Sequence, residues 1–232
     1  MYRNKTNLYD KHTILFQGDS ITDTKRDKSN HLDYGNGYVK IVSEVLKNHC
    51  SGINIINKGQ AQDKVEDIEK RIEKDFYNLK NIKPNIISIL AGINNIGSIT
   101  NNLNHTNLLS LEKSYSNILE EYKLLYPSSS IIVCEPFSLP VKEKVKNWYT
   151  RKRILYDTHS ILQNLSIKYQ ATYLPLQSLF EEASQIKPYK FWLYDGTHPT
   201  QDGHKIIAQA WLKHVLNLDY ISSSTQSTPE AK

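Results

Sequence analysis

Cysteine is nearly missing from this chain. Only Cys50 and Cys134 occur in 232 residues, and neither sits in a CxxC or zinc-ligand spacing. A disulfide framework is thereby excluded and a reducing compartment favoured. No apolar run approaches the roughly 20 residues that a membrane helix needs. The opening residues, MYRNKTNLYDKH, hold no apolar core of a secretory signal. The expectation is a cytoplasmic protein with no membrane partner. Basic residues never cluster beyond Arg151-Lys152-Arg153, so the surplus of 29 Lys and Arg over 24 Asp and Glu leaves no nucleic-acid footprint. HExxH, Walker A and GxGxxG are absent as well, and no metal or cofactor is expected.

What is present is a folded, patterned chain. Hydrophobic residues make up 39%, charged residues 23%, and mean hydropathy is -0.54. At this length roughly 70–75% of the unfolded surface can be buried, which needs no disulfide or metal staple. No internal repeat is seen. A single domain is expected over residues 1–218, followed by a small, polar, flexible tail at 219–232 that contains SSSTQSTPEAK.

Short β-branched runs alternate with helical periods. Strands are expected at 13–17 (TILFQ), 52–57 (GINIIN), 85–91 (NIISILA), 130–134 (SIIVC) and 171–176 (ATYLPL). The third is an almost continuous apolar run, broken inside only by Ser88, as a parallel strand covered on both faces should be. Helices are expected near 37–47, along Val65, Ile68, Ile72 and Phe76 with Asp63 as N-cap, and along Leu111 to Leu125 before Pro127. Two more are expected along Leu155 to Tyr169 and Ile206 to Val215. Such alternation predicts an α/β protein with a parallel sheet and helices on both faces. Cys134, inside the fourth run, reads as a core residue.

In an open sheet of this kind, chemistry collects at the C-terminal strand ends. Gly18-Asp19-Ser20 follows the first strand, Asn57-Lys58-Gly59 the second and Gly92-Ile93-Asn94 the third; Asp195-Gly196-Thr197-His198-Pro199 precedes the last helix. Alone, each is an ordinary turn or cap. Together they supply what acyl transfer needs. Ser20 offers a nucleophile. His198 is kept off the helix by Pro199, and Asp195 lies three residues before it, a spacing at which one carboxylate can hold Nδ1–H and leave Nε2 as base. The Ser20 N–H, the Gly59 N–H and the Asn94 amide are candidate oxyanion donors.

These four blocks resemble those of the SGNH (GDSL) hydrolase superfamily, whose signature residues are serine, glycine, asparagine and histidine. The resemblance spans roughly residues 12–217. ILFQGDSITD, GYVKIV, CEPFSLP and FWLYDGTHPTQDGH are further similar to bacterial acetylxylan-esterase-like carbohydrate esterases. The resemblance implies a flavodoxin-like three-layer α/β/α sandwich with a sheet of about five strands. It implies Ser20 as nucleophile, His198 as base, Asp195 as its orienter, and Ser20, Gly59 and Asn94 as the oxyanion hole. The implied reaction is deacetylation of a sugar or oligosaccharide, and relatives of this subgroup often form homo-oligomers. Asp19 is structural on this reading, not a metal ligand.

Two positions depart from the pattern. The third block usually reads G-x-N-D, but Asn95 replaces the acid. A carboxylate there could accept bonds from its loop, so Asn95→Asp is expected to raise kcat. The second block usually continues N-x-G-x-x-G, but Gln62 stands where a small residue is common. Aromatic residues flank the blocks: Tyr34, Tyr38, Trp192 and Tyr194. Tyr34 and Trp192 are the expected sugar contacts. A lysophospholipase or thioesterase, a sugar acyltransferase, and a catalytically weak carbohydrate-binding protein are the competing readings.

Overall fold

The computed structural model describes residues 11–50, 52–78, 82–101, 107–141 and 146–217. The tail expected at 219–232 lies outside them. In chain order the elements are β1 (Thr13–Gly18), α1 (Ser20–Asp23), α2 (Tyr38–His49), β2 (Asn54–Gly59), α3 (Val65–Asn78), β3 (Ile86–Leu90), α4 (Ile93–Thr100), α5 (Leu108–Leu125), β4 (Ser130–Cys134), α6 (Trp148–Lys168), β5 (Thr172–Leu174), α7 (Gln177–Ala183), α8 (Tyr189–Trp192) and α9 (Gln201–Leu216). All strand pairs are parallel, in the order β2-β1-β3-β4-β5. That is the flavodoxin-like order, and the three-layer α/β/α sandwich follows from it.

Strand alternation sorts the apolar side chains into two cores. Ile14, Phe16, Ile132 and Cys134 face α2 and α9 on one side of the sheet. Leu15, Ile131 and Val133 face α3 and α5 on the other. Helix α6 serves both cores, with Ile154 and Leu155 in the first and Leu162 and Leu165 in the second. In the first core Trp211 is fully buried, and its indole N–H donates to Ser88 Oγ at 3.0 Å. Cys134 is buried there too, and burial pushes its thiol up to about 12, so it stays an inert core residue.

Two helix starts are capped from outside their own segments. Gly37 offers α2 no side chain, and the Tyr38 N–H donates instead to His204 Nδ1 of α9 at 3.2 Å. Burial pulls the His204 imidazole down to about 4, which keeps that lone pair available. At α3 the expected Asp63 cap is not made. Asp63 Oδ2 takes the Arg71 Nε–H at 2.6 Å, a charge-assisted bond, and Asn95 Oδ1 accepts the Val65 N–H at 3.0 Å.

Register brings the strand ends level. Gly18 lies opposite Gly59 and Leu90, Leu90 opposite Cys134, and Cys134 opposite Leu174. Ser20, the 60–63 turn and Asn94 therefore leave the sheet at one edge.

Candidate active site

Ser20 is the first residue of α1, and Asp19 caps it by accepting the Ile21 N–H at 2.9 Å. Ser20 Oγ lies 3.0 Å from His198 Nε2, across 178 residues of sequence. His198 Nδ1 lies 2.7 Å from Asp195 Oδ2, while Asp195 Oδ1 accepts the Thr197 and His198 N–H groups at 2.8 Å each. Burial alone would raise the Asp195 carboxyl. The His198 ring and those two backbone bonds outweigh it and hold the carboxyl well below its usual range. Asp195 is thus an anion that fixes the Nδ1–H tautomer, leaving Nε2 to accept the Ser20 proton. Asp19 is the opposite case. It is 1% exposed, and burial raises its carboxyl to about 7 against the Ile21 bond and the nearby His198.

Asn94 and Gly59 part company. Asn94 Nδ2 donates to the Asp63 carbonyl at 2.9 Å, which ties the amide to the turn after β2. Gly59 sends its N–H to Asn57 Oδ1 at 2.8 Å, not to an open site. A Cβ on Gly59 would lie 2.3 Å from the Asp23 nitrogen, so glycine is required for β2 to pass α1. Asn57 Nδ2 closes the same seam by donating to the Thr22 and Tyr34 carbonyls at 2.8 and 3.0 Å. The expected oxyanion role of Gly59 is therefore corrected to a packing role.

Position 62 takes its place as a candidate. Gln62 adopts φ +72°, in the left-handed region, within the turn closed by the Asp63 N–H on the Gln60 carbonyl at 3.2 Å. This is the second glycine position of N-x-G-x-x-G. The N-x-G-x-x-G spacing is the sequence signal for this turn. A non-glycine residue in that region costs on the order of 1–3 kcal/mol, and such strain collects at functional turns.

Neither expected aromatic contact faces the serine. Tyr34 is 7% exposed and packs in the first core, with the Lys47 ammonium 4.7 Å above its ring. Trp192 lines a groove of about 710 Å³ with Leu179, Ile186 and Ile206, between α7 and α9, to which Ser20, Asn94 and His198 do not contribute. The ring at the site is Tyr194. It is 52% exposed and stacks on the His198 imidazole at 5.6 Å and 16°.

Asn95 is no weak point either. It is fully buried; its Oδ1 holds the Val65 N–H and its Nδ2 donates to Glu66 Oε2 at 2.7 Å. An aspartate would set two carboxylates face to face. Asn95→Asp is now expected to cost about 1–3 kcal/mol, roughly 2–12 °C in Tm at this chain length, with no gain in kcat. The loss should shrink at acid pH, where one carboxyl carries a proton to share. Melting curves against pH check this, and a higher Tm at neutral pH would refute it.

Among the described residues no helix is long and apolar enough to cross a membrane, and no group of three His, Cys, Asp or Glu side chains could hold a metal ion.

The chain is similar to several known proteins. Residues 16–206 match the GDSL-like Lipase/Acylhydrolase family. An acetylxylan esterase of Geobacillus stearothermophilus is 26% identical over 212 residues, 87% of this chain and 93% of that protein. A GDSL-like lipase from Parabacteroides merdae superposes with a TM-score of 0.76 at 27% identity, covering 90% of this chain and 97% of that one. Axe2, an acetylxylan esterase from Geobacillus stearothermophilus, superposes with a TM-score of 0.75 at 25% identity, covering 92% and 98%. Two catalytic mutants of Axe2, one replacing a histidine and one an aspartate by alanine, match at 25% identity with TM-scores of 0.76 and 0.77. The chain belongs to the GDSL-like lipase/acylhydrolase family and is a carboxylic ester hydrolase.

Proposed function

We propose that the enzyme removes O-acetyl groups from a saccharide through Ser20. The observation that carries this is the unbroken chain from Ser20 Oγ through His198 to Asp195, with an exposed tyrosine ring stacked on the same histidine. His198 Nε2 takes the Ser20 proton as Oγ attacks the acetyl carbonyl. The tetrahedral oxyanion is met by the Ser20 N–H, the second amide proton of Asn94 and the N–H of the 60–63 turn at Gln62. His198 then protonates the departing sugar oxygen, and water frees acetate from Ser20 by the same route in reverse.

The relatives' deacetylation of xylan supports the saccharide, and so does Tyr194, an amphipathic ring of the kind on which sugar faces stack. In the Axe2 catalytic mutants the aspartate and histidine lie three positions apart, the spacing of Asp195 and His198.

A panel of acetylated saccharides beside nitrophenyl esters of rising chain length tests the reading. Acetyl esters should outrun octanoyl esters; octanoyl preference would make the enzyme a lipase. Tyr194→Ala should raise KM for an acetylated oligosaccharide about 3- to 10-fold, the worth of one aromatic contact, with kcat on nitrophenyl acetate nearly unchanged. Equal effects on both substrates would remove Tyr194 from sugar recognition.

A further inference from the structure

Behind the acid–base turn lies an arginine that the mechanism does not use. Arg151, in the first turn of α6, is 5% exposed. Its Nε donates to Ser138 Oγ at 2.8 Å and its Nη2 to Thr197 Oγ1 at 3.3 Å. Both acceptors are neutral hydroxyls. Burial pulls the guanidinium down to about 10, opposed by the field of Asp195, so it keeps its charge at any working pH.

The connections of Arg151 lead to the site from two sides. Ser138 Oγ passes the link on by donating to the Gly196 carbonyl at 2.7 Å, and the Leu139 N–H reaches the same carbonyl at 3.0 Å. Gly196 has φ +82° and sits between Asp195 and His198. Ser138 is itself held by the buried Gln177, which accepts its N–H at 2.9 Å and donates to its carbonyl at 3.0 Å. On the other side, Nη1 lies 3.7 Å from where a Cβ on Gly97 would be. Gly97 is three residues after Asn94 on α4, on the same helix face.

We propose that Arg151 is a positioning residue that holds the Asp195–His198 turn in register with Asn94 and supplies the positive charge facing the Asp195 carboxylate. This rests on the reading of Ser20, His198 and Asp195 as the ester-cleaving residues. A buried guanidinium bonded to hydroxyls is costly to retain for packing alone. Its fork geometry reaches Ser138 and Thr197 at once, which a lysine cannot do.

The groups facing His198 are Asp195 and Tyr194 on its own turn, Ser20 from α1 and Asp19 that caps it, and His204 from α9. Arg151 reaches that turn from α6 through Thr197 Oγ1 and, by way of Ser138, the Gly196 carbonyl. Without it, the Asp195 charge is less compensated and the protonated imidazole is favoured. The acid limb of kcat/KM should then move to higher pH.

The test is steady-state kinetics of Arg151→Met and Arg151→Lys on nitrophenyl acetate across pH. Arg151→Met should lower kcat about 10- to 100-fold, the cost of a misplacement near 1 Å, with KM little changed and the acid limb raised. Arg151→Lys should bring back the acid limb but not kcat. Wild-type kcat and acid limb in Arg151→Met would overturn the proposal. A loss carried by KM would also overturn it, by placing the guanidinium against substrate. If Arg151→Met does not fold, Ser138→Ala decides, because it removes the hydroxyl between Arg151 and Gly196. A fall in kcat at constant KM supports the proposal, and wild-type kcat refutes it. Ser20→Ala run alongside separates the two readings. Turnover there would sink the site assignment itself, whereas a dead Ser20→Ala beside an unaffected Arg151→Met sinks only this proposal.

Discussion

Replacing Ser20 by alanine is expected to lower kcat by roughly 10³-fold or more without unfolding the protein. The hydroxyl meets His198 Nε2 and packs against no core, so the fold loses one half-buried hydrogen bond. That is about 1 kcal/mol, a shift of a few degrees in Tm. The chemistry loses its covalent route. Labelling by a fluorophosphonate should vanish, because Ser20 Oγ is the hydroxyl that meets His198 Nε2 among the described residues. A second comparison asks whether the three residues act as a unit. His198→Ala added to Ser20→Ala should lower kcat little further, since a base without a nucleophile has no proton to take. Multiplying losses would mean that His198 serves another step. A folded Ser20→Ala enzyme with near-wild-type turnover would remove Ser20 from the mechanism altogether.

How far the sequence carried this site depends on which physical signal each residue leaves. Short β-branched apolar runs placed all five strands, because both faces of a parallel sheet are covered and its strands read as near-continuous apolar segments. Ends were less legible. β2 begins two residues later than expected and runs on to Gly59, since its last pairs follow the register with Gly18 and not a change in hydrophobicity. The short helices α1, α4, α7 and α8 were invisible as periods, being four to eight residues long. Asp195 and His198 were legible because their partnership is local, three residues apart.

Gly59 misled for a different reason. A glycine after a strand marks close approach, but the sequence does not say to what. Here it is the α1 backbone. Tyr34 and Trp192 failed likewise, since aromatic rings near a motif in sequence can point into the core or along another face. Tyr194 meets the site because the turn from Asp195 to His198 brings the imidazole against its ring, while the ring stays half exposed. Asn95 showed the same limit. Its value lies in Glu66 and Val65, thirty residues away, and no local pattern announces that pairing.

Asn94→Ala should lower kcat by about 10²–10³, or 2.7–4 kcal/mol, with little change in KM. The argument runs through what the amide already does. One Nδ2 proton is spent on the Asp63 carbonyl, which sets the direction of the other. A donor held this way costs no reorganisation when the carbonyl becomes an oxyanion, so its worth appears in the transition state and not in substrate binding. Alanine also leaves the Asp63 carbonyl without that partner, and the 60–63 turn should loosen by about 1–3 kcal/mol. The two effects separate on measurement. Loosening lowers Tm and moves Gln62 with it, whereas loss of the donor lowers kcat even at temperatures far below the melting point. Asn94→Asp sharpens the comparison. It keeps the shape but turns an acceptor toward both the Asp63 carbonyl and the developing negative charge, so its kcat should fall at least as far as that of alanine at neutral pH. Relative to wild type at the same pH it should recover partly as the pH falls and the new carboxyl gains a proton to donate. A pure KM effect in either variant would make Asn94 a substrate-binding residue and leave the oxyanion to the backbone of Ser20 and Gln62.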